Sequence, residues 1–175
     1  MGESSHETGE SSVYVRWTDS PWIAGMLGGV TGAIIFGVLM WVIEPDVLTA
    51  SIPALYGVSP TTFGGWLIHL GHGVVLGLIF AAIAERPLIR SYIEDDVETQ
   101  ALQFVSVRAR LAGLGFVFGL AIWAILPLLV MPIWFGMVGA PDAPAMTDVA
   151  IASLFGHLLY GVLLGTVYGI IVESG

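Results

Sequence analysis

Residues 69–85, HLGHGVVLGLIFAAIAE, align with residues 157–173, HLLYGVLLGTVYGIIVE, at a constant offset of 88. His69/His157, Gly73/Gly161, Leu76/Leu164, Gly77/Gly165, Ile83/Ile171 and Glu85/Glu173 are shared. Each copy belongs to an apolar run that carries no Asp, Glu, Lys or Arg until the closing glutamate. Two more such runs exist, so the four cover roughly 22–43, 62–84, 111–131 and 149–172. Each holds about the 20 apolar residues that a hydrocarbon core near 30 Å requires. The backbone in lipid must satisfy its own hydrogen bonds, which makes these runs helices. A chain that is 56% hydrophobic with a mean hydropathy of +0.88 has the composition of a membrane protein.

The first and third runs match more weakly, at an offset of 87, where Gly28 meets Gly115, Gly32 meets Gly119 and Pro45 meets Pro132. Each repeat is then a helix, an outer loop and a second helix. Two crossings per unit keep both copies in one orientation, as in a parallel repeat. The expected fold is all-α: a polytopic membrane protein with a four-transmembrane-helix bundle made of two tandem helical-hairpin repeats. Its single membrane domain spans 21–175, with repeat one at 22–85, a cytoplasmic loop at 86–110 and repeat two at 111–173. Small-xxx-small steps (Gly25, Gly28, Gly29, Gly32; Gly73, Gly77; Gly115, Gly119; Gly161, Gly165) let helix backbones approach closely. Pro127 is expected to kink the third helix.

The five cations are all arginines, and all fall on one side of the runs: Arg16 before the first, and Arg86, Arg90, Arg108 and Arg110 around the 85–110 loop. The loops 44–61 and 132–148 have none. The positive-inside rule then makes both termini and the 85–110 loop cytoplasmic and the localisation an integral cell membrane. Trp17 and Trp22 read as inner interface anchors, and Trp41, Trp66 and Trp134 as outer ones. Residues 1–20 form an acidic cytoplasmic tail without the basic start of a secretory signal. Residues 97–108 read as a short amphipathic helix on the membrane surface.

With 14 acidic residues and a net charge of −9, the chain lacks the basic patch that nucleic acid demands. Without cysteine there is no disulfide, thiolate metal site or covalent haem attachment. No phosphate loop, G-x-S-x-G or H-E-x-x-H motif occurs, so a self-contained enzyme is not expected.

The histidines carry the functional question. His69 lies about two turns, roughly 10 Å, inside the outer end of its helix, and His157 lies at a matching depth. His72 is one turn below His69, and Tyr160 takes its place in copy two. Ionisable groups inside a membrane normally face the bundle and mark a site. Three readings are open. His69 and His157 ligate a b-type haem as axial ligands, with Gly73, Gly77, Gly161 and Gly165 leaving room for the macrocycle, in an electron-transfer protein or respiratory-complex subunit. Alternatively, His69, His157 and His72 hold a divalent metal or a proton, with Tyr160 as hydrogen-bond partner and Glu44 or Asp46 as the nearest acids. Otherwise each histidine ties its helix to a neighbour through Thr31, Ser153 or a backbone carbonyl, in a structural or assembly subunit without cofactor. An oligomeric ion or small-solute channel is a further alternative. Expected partners are the lipid bilayer and either a second copy or a membrane complex. His6 belongs to the tail and is not expected to matter.

The four-helix layout, the acidic Lys-free loops and the H-x-x-[HY]-G-x-x-L-G element resemble a group of small uncharacterised four-helix integral membrane proteins of halophilic archaea. The resemblance covers residues 22–173. It implies the fold, and it brings no activity with it.

Overall fold

The computed structural model describes residues 20–94, 105–138 and 146–174. The acidic tail and most of the segment read as a surface helix over 97–108 lie outside the described residues. The described elements are all helical: α1 (Pro21–Ile43), α2 (Ile52–Ala54), α3 (Thr62–Ala84), α4 (Pro87–Glu94), α5 (Val107–Ile125), α6 (Met131–Val138) and α7 (Met146–Ser174). Among the described residues, four helices are long and apolar enough to cross a membrane: Pro21–Ile43, Thr62–Ala84, Val107–Trp134 and Ser153–Glu173.

The starts of the helices follow from local chemistry. Proline is the first residue of α1 and of α4, where its missing N–H costs nothing. The Thr61 hydroxyl accepts from the Gly64 N–H at 3.0 Å and opens α3, and the Ser106 hydroxyl accepts from the Ala109 N–H at 3.3 Å and opens α5. Pro127 does not end the third span. A π-helical turn, Leu126–Val130, carries the chain from α5 into α6. A wider turn accommodates a ring that cannot donate and would press on the carbonyl four residues back. A second π-helical turn, Val47–Ser51, leads into α2, and this strap lies against the N-terminal end of α3 with Leu48 fully buried.

Going around the bundle, α3 packs on α1, α1 on α7, and α7 on α5. The α1–α3 and α5–α7 contacts are backbone to backbone. A Cβ on Gly29 would run into the Gly73 carbonyl, and one on Gly73 would run into Gly29. In the second hairpin, Gly115 and Gly161 stand in the same relation, and Gly165 meets the Leu111 carbonyl as Gly77 meets that of Gly25. These contacts match Gly25, Gly29 and Ala33 with Leu111, Gly115 and Gly119. The helix-one register is therefore one residue from the sequence alignment, and Gly29, rather than Gly28, takes the place of Gly115.

Gly28 and Gly32 have a different task. They face α7, where added Cβ atoms would strike Leu164 and Tyr160. In the corrected register their counterparts on α5 are Leu114 and Phe118, the latter 7% exposed. Phe118 stands in the gap between α5 and α3 against Phe80, with ring centroids 5.5 Å apart. One seam of the bundle is tight and its counterpart wide because Gly32 stands on one helix and Phe118 at the matching place on the other. Helices α3 and α7 sit diagonally. They meet at Phe80 and Tyr168, equivalent positions at offset 88, whose rings are edge to face at 5.4 Å.

The ends of α3 and α7 that carry Glu85 and Glu173 are closed by ion pairs. Arg90 reaches Glu85 at 3.2 Å, the buried Tyr168 hydroxyl donates to the other oxygen of Glu85 at 3.0 Å, and Arg108 pairs with Glu173.

Candidate functional site

His69 and His157 both turn into the bundle, and both lie against the same ring. Phe36, on α1, has its centroid 5.7 Å from the His69 ring and 5.0 Å from the His157 ring, edge-on to each. The expected equality of depth is thus met, and the expected direct confrontation of the two imidazoles is not. Helix α1 stands between them, because α3 and α7 are diagonal rather than adjacent. Phe36 can occupy this place because Gly156, the residue before His157, presents no side chain: a Cβ there would collide with the phenyl ring.

One ring nitrogen of each histidine faces a backbone carbonyl. His69, 7% exposed, has Nε2 at 2.9 Å from the Ala33 carbonyl of α1. That bond joins two helices and relieves the cost of burying a polar ring. His157 Nδ1 lies 2.7 Å from the Ser153 carbonyl one turn back, so this bond stays within its own helix. Thr31 also bonds within its helix, to the Leu27 carbonyl at 2.8 Å.

His72 and Tyr160, paired at the sequence offset of 88, diverge. Tyr160 is buried and its hydroxyl donates across the diagonal to the Gly73 carbonyl at 3.2 Å. His72 instead meets the hydroxyl of Tyr56, just after α2, with its Nε2 at 2.5 Å. The four site glycines are occupied by backbone: Gly73 and Gly77 by α1, Gly161 and Gly165 by α5. Trp66, read from the sequence as an interface anchor, also touches the site. Its ring lies 6.3 Å from that of His69 and against Gly37, and Trp41 extends the aromatic series outward at 6.1 Å.

The arrangement can be set against the readings it has to serve. A bis-imidazole haem needs one nitrogen of each ring directed at a common iron, with the porphyrin plane between them. Here the space between the rings holds Phe36, the nitrogen of His69 nearest α1 is engaged with Ala33, and the glycine faces are closed by helix backbone. The residues as placed do not fit the macrocycle. A metal shell wants three or four ligands, and among the described residues no three His, Cys, Asp or Glu side chains come together as such a group. Sequence reasoning missed Phe36, Gly156 and Tyr56. A phenylalanine in an apolar run carries no local mark of standing between two histidines 33 and 121 positions away.

No protein-family model, no curated protein and no solved structure matches the chain, so the site is read from its geometry.

Proposed function

We propose that the protein is an integral membrane structural or assembly subunit, in which His69 fastens α3 to α1, His157 packs on Phe36 and no haem sits between the two rings. The observation that carries this reading is the Phe36 ring between His69 and His157, together with the bond from His69 to the Ala33 carbonyl. Imidazole at this position contributes packing edges to a phenyl ring and one interhelical hydrogen bond. Such bonds average about 0.6 kcal/mol in membrane bundles. The glycine-on-glycine hairpins supply the rest of the cohesion by dispersion at close backbone approach.

The reading includes a tandem duplication of a helical hairpin, supported by the matching contacts of Gly29 with Gly73 and Gly115 with Gly161. It also places both termini and the arginine-bearing ends in the cytoplasm, supported by the one-sided arginines.

The test is the absorption spectrum of the full chain purified after expression with ample haem. A colourless protein is expected, and His69→Ala is expected to lower its unfolding temperature without changing the spectrum. A Soret band that disappears in both His69→Ala and His157→Ala would overturn the proposal and restore the electron-carrier reading.

A further inference from the structure

Helix α4 has more apolar surface than the bundle covers. At 100° per residue, Leu88, Tyr92, Ile89 and Ile93 fall on one continuous arc of about 140°, with Arg90 and Ser91 on the other side. Only half of the arc meets protein: Ile93 is 4% exposed and Ile89 packs beside it against the core. Leu88 and Tyr92 point away, 67% and 58% exposed. They cannot fold inward, because the helix is pinned at both ends. Arg90 pairs with Glu85 at the end of α3, and Arg110 of α5 donates to the Ile93 carbonyl at 3.0 Å. Arg86 is exposed and has no ion-pair partner among the described residues.

The position of this helix says what covers the outward half. α4 begins three residues after the last residue of α3, a membrane-capable span, so it stands at the depth where hydrocarbon gives way to headgroups. An apolar stripe containing tyrosine, flanked by arginine, is the pattern of a helix lying in that layer. We propose that α4 is an in-plane interfacial helix that binds the lipid leaflet: Leu88 and Tyr92 enter the acyl–headgroup boundary, and Arg86 meets the phosphate of an anionic lipid. This places the membrane-surface helix at 87–94. The inference rests on the reading that the four long helices span a bilayer.

The absence of cysteine from the chain allows single-site labelling. Leu88→Cys, Tyr92→Cys, Ser91→Cys and Val75→Cys variants of the full chain are spin-labelled and reconstituted in phosphatidylglycerol or phosphatidylcholine vesicles. Collision with oxygen, which favours lipid, is compared with collision with a water-soluble nickel chelate. Labels at 88 and 92 are expected to favour oxygen and the label at 91 to favour nickel. Adding Arg86→Gln is expected to lower the oxygen preference at 88 more in phosphatidylglycerol than in phosphatidylcholine. Nickel preference at 88 and 92 equal to that at 91 overturns the interfacial helix. An Arg86→Gln effect equal in the two lipids overturns the role given to Arg86. The label at 75, on the outward face of the α3 span, separates the two failures: nickel access there as well would overturn the spanning reading itself.

Discussion

At the scale of single residues, the side chain a helix lacks decides more than the one it carries. Gly29 and Gly73 allow α1 and α3 to touch through backbone, and neither helix can move aside without losing the whole seam. Gly29→Leu is expected to destabilise the bundle by about 3 kcal/mol or more, the upper range for overpacking a tight core, read as loss of folded protein in a denaturant titration in detergent. Gly71, where a Cβ would meet nothing, should accept alanine without loss in the same titration. His69→Ala removes one interhelical hydrogen bond and the ring edge on Phe36, and a cost of about 1 kcal/mol is expected. Of this site the sequence displayed the two histidines, their common depth and their inward aspect, because duplication and apolar surroundings are visible in a string of letters. The ring between them was not visible, since it comes from a third helix.

At the scale of elements, the difference between the two long seams follows from which residue stands at two positions. Gly28 and Gly32 bring α1 onto α7, while Phe118, against Phe80, holds α5 away from α3. Phe118→Ala is expected to open a cavity in the wide seam and cost about 3 kcal/mol, measured as a fall in unfolding free energy. The ion pairs that close the helix ends are weaker devices. Arg108 is half exposed although it pairs with Glu173, so Arg108→Gln is expected to cost less than 1 kcal/mol. Element limits were readable where composition changes sharply, as at α3, whose ends coincide with the 62–84 run. They were not readable at Pro127, where the sequence announces a kink and the backbone answers with a π-helical turn. Tertiary neighbours of that turn do not appear in the local sequence.

At the scale of the whole molecule, a net charge of −9 without lysine sits on an otherwise apolar chain. Mutual repulsion among those carboxylates is screened by salt, with a Debye length near 3 Å at 1 M. The unfolding temperature is therefore expected to rise as KCl is raised from the millimolar range towards molar. A temperature that falls or stays flat would show that carboxylate repulsion does not limit stability.

The sequence by itself determined that the fold is helical, with four segments able to span a membrane, and that two of its histidines turn inward. Hydrophobic length, charge placement and internal similarity are local quantities, and they survive reading in one dimension. The tertiary structure alone decided the register of the first helix against the third, the diagonal placing of α3 and α7, and the insertion of Phe36 between the imidazoles. Those depend on how small and large residues from separate helices share space. That volume is apportioned only when the helices meet.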